Sequence, residues 1–148
     1  MKKTINGVEL EIGPSADLCD ANLRRAHLCG ADLRGADLRG AKNIPPITAA
    51  QTLITPGGDI VGYKKLADGT ICKLIIPATA KRHNATGRKC RAEFAVVLEG
   101  CGVSEWDGRF KYKVGETVRP RDPFDEDRWN ECGSGIHFFL TREEAEAY

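Results

Sequence analysis

Between Ala78 and Arg91 the chain holds Lys81, Arg82, Arg88, Lys89 and Arg91 without a single carboxylate, interspersed with His83, Asn84, Thr86 and Gly87. Glycine lets backbone amides approach a phosphate closely, and arginine forks match phosphate oxygens in pairs. Such a loop suits a phosphorylated small molecule or a nucleotide. It equally suits a solvated basic loop facing the acidic stretch Asp122 to Glu131, where Asp122, Asp125, Glu126, Asp127 and Glu131 stand against Arg128. Surface complementarity of that kind contributes little to stability.

Trp129, Trp106 and His137 could supply an aromatic surface for a base, although a tryptophan beside charged residues is more often packing. The candidate ligand-binding set is therefore Lys81, Arg82, His83, Asn84, Arg88, Lys89, Arg91, Trp129, Glu131 and His137. It predicts that Arg88→Ala and Arg91→Ala abolish binding.

General acid–base chemistry could pair His137 with Glu131 or Asp127, and Cys132 could act as a nucleophile near His137. Proximity in sequence establishes none of these pairs, and no catalytic residue is assigned. His137 also sits in the apolar run Ile136 to Leu140, where a packed histidine is the simpler reading. Cys72, Cys90, Cys101, Cys132, His83 and His137 lack the short paired spacing of a structural zinc site, so neither metal nor cofactor is expected.

Lys plus Arg total 22 against Asp plus Glu 21 in 148 residues, a balance that argues against a general nucleic-acid or membrane-surface binder. The basic first residues lead into no apolar signal region, and no run of about 18 apolar residues occurs. A soluble cytoplasmic protein is expected, with its six cysteines as free thiols.

These residues must be carried by a scaffold, and the clearest scaffold signal is a period of five. Ala16 to Pro45 reads ADLCD, ANLRR, AHLCG, ADLRG, ADLRG, AKNIP, with Ala at 16, 21, 26, 31, 36 and 41 and Leu at 18, 23, 28, 33 and 38. Five divides neither the helical period of 3.6 nor the strand period of two. A chain that turns a corner every five residues satisfies the pattern. Cys19 and Cys29, two repeats apart, would then lie on opposite sides of one coil.

This run resembles the pentapeptide-repeat family, which implies inward-pointing Leu and Ala rows and a short right-handed quadrilateral β-helix with four repeats per coil. About one and a half coils are expected, too few to stand alone, with an open sheet edge that invites pairing between copies. The near-neutral charge and short length speak against the duplex-DNA mimicry known in some relatives. A homo-oligomer is expected.

Pro45-Pro46 ends the repeat. The expected organisation is a β-helix with an N-terminal strand over 1–46, a linker over 47–58 and an α+β domain over 59–148, so the chain as a whole is mainly β. In that domain, strands at Asp59 to Leu66 and Thr70 to Ile76 flank a turn at Ala67-Asp68-Gly69. Further strands are predicted at Arg91 to Leu98, Phe110 to Val118 and Ile136 to Leu140, forming one small mixed sheet. A helical turn is predicted at Ala78 to Arg82, and a C-terminal helix capped by Thr141 with Glu144.

From Tyr63 onward the chain resembles a domain of unknown function found behind pentapeptide repeats in phage and prophage proteins. The resemblance rests on Lys73-Leu74, Ile76-Pro77-Ala78, Gly87 to Ala92, Tyr112 to Gly115, Glu131-Cys132 and Gly135 to Phe139. It implies a phage context and carries over no activity. Three functions are open: a non-catalytic counter-defence protein that sequesters a phosphorylated ligand such as a nucleotide signal, a protein-binding inhibitor of a host enzyme, or a nucleotide-modifying enzyme.

Overall fold

The computed structural model describes residues 1–148, and each position of the pentapeptide has its own task. The Leu row (Leu18, Leu23, Leu28, Leu33, Leu38) is buried throughout, whereas Ala16, Ala26 and Ala36 are buried and the alternate alanines only partly so. The second position carries Asp17, Asn22, Asp32 or Asp37, whose side-chain oxygen accepts the amide two residues on, from Cys19, Arg24, Arg34 or Arg39, at 3.0–3.2 Å. The fifth position turns the corner: Asp20, Arg25, Gly30, Gly35 and Gly40 all have φ between 56° and 72°. Glycine adopts that left-handed conformation freely, and most other residues at a cost.

Parallel bridges join Asp17 to Asp37 and Asn22 to Lys42, each pair twenty residues apart. Backbone bonds continue the same register, as in Leu18 N–H to Asp37 C=O at 2.9 Å and Asp37 N–H to Ala16 C=O at 2.8 Å. Four pentapeptides thus bring the chain back over itself.

Residues from outside the repeat pack onto this small core. The hairpin of β1 (Lys2–Ile5) and β2 (Val8–Glu11) contributes Ile5, and Ile12 follows it into the core. Asn6 of its turn donates to the carbonyls of Asn22 and Arg24 at 2.9 and 3.3 Å. Trp129, from the far part of the chain, packs against the same apolar cluster, and the Thr86 hydroxyl donates to the Ala36 carbonyl at 2.6 Å.

The segment expected to be a linker contains a helix, α1 (Pro46–Thr52), with Pro at its start, where the missing N–H costs nothing. Beyond it β3 (Ile60–Lys65) and β4 (Ile71–Ile76) form the predicted hairpin, with Gly69 at φ 86° in its turn. No helix forms at 78–82: the chain makes a tight turn after Pro77 and enters β5 (Arg82–Asn84). The run 91–98 is two strands, β6 (Cys90–Ala92) and β7 (Ala95–Glu99), which belong to different sheets.

The run 110–118 is likewise divided. After β8 (Gly102–Val103), β9 (Lys111–Tyr112) pairs with it, and a turn in which Gly115 has φ 84° leads from β9 into β10 (Thr117–Val118), which pairs with β7. β11 (Ile136–Phe138) completes the sheet β11-β6-β5, beside the sheet β10-β7-β4-β3. The single mixed sheet is therefore replaced by several small sheets whose named pairings are all antiparallel. Strands this short are ended by bends and turns that strand propensity does not register.

The chain ends in α2 (Arg142–Ala147), with the Thr141 oxygen accepting the Glu144 amide at 3.3 Å. The Glu144 carboxylate accepts from the Thr141 hydroxyl and from Arg88, and so does not return to the Thr141 amide as a capping box requires. The architecture as a whole is mainly β, with two short helices and two apolar cores.

Arg25→Gly is expected to raise stability by up to about 1 kcal/mol, because it relieves the one corner held by a long side chain. Gly62→Ala is expected to cost about 1–3 kcal/mol, since a β-carbon there would lie 2.6 Å from the Phe138 ring and 3.1 Å from Ile76. Urea midpoints of both variants check these directions.

Candidate functional site

The basic loop does not present its charges as a cradle. Lys81 pairs with Glu126 at the surface. Arg82 donates to the carbonyls of Gly58 at 2.6 Å and Pro77 at 2.9 Å and so staples the linker to the hairpin. Asn84, fully buried, accepts the Ile54 amide at 2.9 Å and donates to the carbonyl of Thr52 at 2.8 Å. Arg88 makes a two-pronged bond to Glu144 at 2.8 and 3.0 Å.

Arg91 is only 2 % exposed and donates to the carbonyls of Asp125, Ser134 and Asp127 at 2.8–3.1 Å. A buried guanidinium held by carbonyls is satisfied as a donor. The same Asp125 carbonyl accepts from His83 Nε2 at 3.2 Å, which leaves His83 Nδ1 buried without a partner beside the Phe124 ring. Burial and the nearby Arg91 charge lower the His83 pKa. Trp129 lies on the repeat core with Arg128 stacked 4.3 Å above it, and Glu131 lies against Gly87.

Two residues of the predicted set, Lys89 and His137, meet elsewhere, in a cleft of about 480 Å³. Lys64 and Lys65, at the end of β3, form one side with them. Trp106, Phe110, Tyr112 and Tyr148 supply aromatic surface, and Cys132 to Gly135 supply backbone. The side chain of Trp106 is fully in reach of solvent, with 84 % of its surface exposed.

Acidic residues also border the cleft: Glu105, Asp107 and Asp122, of which Asp107 is neutralised by Arg121 at 2.7 Å. Lys64, Lys65 and Lys89 have no carboxylate partner. Lys89 donates to the Tyr148 hydroxyl at 2.8 Å and lies 4.8 Å from the ring centre. Lys64 donates only to the His137 carbonyl, at 3.3 Å.

His137 is neutral at physiological pH. Burial pushes its pKa down to about 4, while its Nε2 bond to the Gly133 carbonyl at 3.0 Å acts in the opposite sense. No group of three or more His, Cys, Asp or Glu side chains is placed to hold a metal ion, and no helix is long and apolar enough to cross a membrane. All six cysteines are free.

Sequence reasoning missed Lys64, Lys65 and Tyr112, and named Trp106 as an aromatic surface without placing it in the candidate set. The signal for Lys64 was available: it continues the alternation Ile60, Gly62, Lys64 on the inward side of β3, where a lysine is out of place.

The fold and cleft define a mainly β protein in which a pentapeptide stack is joined to a small antiparallel domain. The chain belongs to the family of unknown function DUF5758, whose model matches residues 50–145, and pentapeptide repeats (8 copies) match residues 15–42. No curated protein and no solved structure matches it.

An unfolded histidine binds its proton below about pH 6.5, whereas His137 in the fold stays neutral down to about 4. In that window the unfolded chain holds more protons, so stability falls as pH falls. Acidification from pH 6.5 to 4 is expected to cost at most about 3 kcal/mol through this group. Denaturation of wild type and His137→Gln across the window should show a shallower pH slope in the variant, and equal slopes would refute the assignment.

Proposed function

We propose that the chain binds a phosphorylated small ligand in this cleft without turning it over. The carrying observation is the convergence of Lys64, Lys65 and Lys89, all lacking a carboxylate partner, on a cleft that also offers Tyr112, Tyr148 and the exposed Trp106. Ammonium groups bind phosphate oxygens through charge-assisted bonds, and aromatic faces stack on bases. A nucleotide satisfies both surfaces at once.

The repeat, read as a right-handed quadrilateral β-helix, is the rigid platform on which Trp129 seats the domain. With the resemblance to phage and prophage proteins, this reading makes the chain a cytoplasmic sponge for a nucleotide signal, acting in a host cell. The cleft replaces the Ala78 to Arg91 loop as the anion site, because the loop cations are engaged by Glu126, Glu144 and backbone carbonyls.

Calorimetry with ADP distinguishes the two locations. Lys65→Ala and Lys89→Ala are each expected to weaken binding by about tenfold or more, and Arg88→Ala to leave it within about twofold. The opposite pattern would return the site to the loop. Mass spectrometry of a nucleotide panel before and after heat denaturation then reads the outcome: a compound depleted and returned intact marks a sponge, one returned altered marks an enzyme, and no depletion favours a protein-binding inhibitor.

A further inference from the structure

We propose that Lys64 is a reactive amine that captures a phosphorylated aldehyde in the cleft as a reversible imine, with Lys65 and Lys89 receiving the phosphate. The inference rests on the cleft being the anion site and adds a covalent step and a ligand class.

The position of Lys64 follows from its strand. Ile60 and Gly62 precede it on the same side of β3; Ile60 is buried, and Gly62 faces the Phe138 ring. The Lys64 stem therefore crosses the edge of the core before its ammonium reaches the cleft, where Nζ lies 5.9 Å from the Tyr112 ring centre. Its one hydrogen bond is the 3.3 Å contact with the His137 carbonyl.

The groups around it come from the neighbouring elements: Lys65 on its own strand, donating to the Glu146 carbonyl of α2 at 3.4 Å, Cys72 opposite it in β4, Lys89 before β6, Glu105 after β8, Tyr112 in β9, His137 in β11 and Tyr148 after α2. Burial pushes the Cys72 thiol up to about 11 and the Tyr112 hydroxyl well above its usual range, so neither is an anion at neutral pH. His137 is neutral too. Burial first, then repulsion from Lys89, holds Lys64 down at about 8, with Cys72 and Glu105 opposing weakly. A desolvated lysine beside other cations is the usual form of an amine nucleophile.

The chemistry balances without an oxidant. Lys64 gives a proton to solvent, and its lone pair attacks the aldehyde carbon to form the C–N bond. The carbonyl oxygen takes up protons and departs as one water, leaving the C=N bond. Hydrolysis returns the ligand unchanged, as a sponge requires. Open-chain sugar phosphates and phosphorylated aldehydes generally fall in this class.

The test uses the full chain with substoichiometric pyridoxal 5′-phosphate as probe at neutral pH, followed by borohydride reduction and peptide mapping. Lys64 is expected to carry most of the reduced adduct, with the yield falling as pH is lowered below about 8. Lys64→Arg is expected to lose at least about tenfold of the imine absorbance, whereas Lys113→Arg, at an exposed lysine outside the cleft, is expected to keep it.

Label spread over exposed lysines such as Lys2, Lys111 and Lys113, or undiminished absorbance in Lys64→Arg, overturns the proposal. The mapping is done on wild type, so it stands even if the variant misfolds. ADP calorimetry on wild type separates the two failures: binding without a Lys64 adduct removes the imine alone, and no binding removes the anion cleft beneath it.

Discussion

The joint between the repeat and the domain depends on one guanidinium. Arg128 donates to the carbonyls of Ala49 at 2.7 Å, Asn84 at 2.5 Å and Ala85 at 3.1 Å, and to the Thr52 hydroxyl at 2.6 Å. These acceptors belong to α1 and to the end of β5, segments that share no strand pairing. The Ala85 carbonyl also accepts from the Asn84 side-chain amide at 3.0 Å and the Ala49 carbonyl from the Thr52 hydroxyl at 3.4 Å, so Arg128 adds a charge-assisted donor to carbonyls that are already shared. Arg128, held by these bonds, stacks on the adjacent Trp129, which packs on the repeat core.

The repeat was readable because its information is local. Each five-residue unit contains its own inward leucine, its own Asx turn and its own left-handed corner, so sequence spacing and structure coincide. The sixth unit shows the limit: where Leu is expected, Asn43 stands exposed at φ 54° and donates to Asn22 at 2.9 Å. The period says nothing of Trp129 and Thr86, which reach the repeat from residues far away in the chain.

The domain was legible in its hairpin and its C-terminal helix, whose turn and cap are again local. The two-residue strands were not, because bends at Glu93-Phe94 and Val114-Gly115 assign neighbouring residues to different sheets. For the site, composition showed where the cations are but not what engages them. Arg82 and Arg91 are spent on carbonyls, which have no signature in sequence, whereas Lys64 and Lys65 looked like an ordinary strand end. Lys89 was found because it belongs to both the charged loop and the cleft wall, and His137 because a histidine in the apolar run Ile136 to Leu140 stood out by its type.

The twenty-residue register also limits how this lineage can change length. Duplicating one pentapeptide preserves every local rule yet displaces Ala36, to which Thr86 is bonded, from its place above Ala16. Only a gain or loss of four units returns the chain to the same lateral position. Drift in repeat number should therefore be quantised by whole coils wherever the appended domain is kept, even though the motif itself is indifferent to how often it is copied.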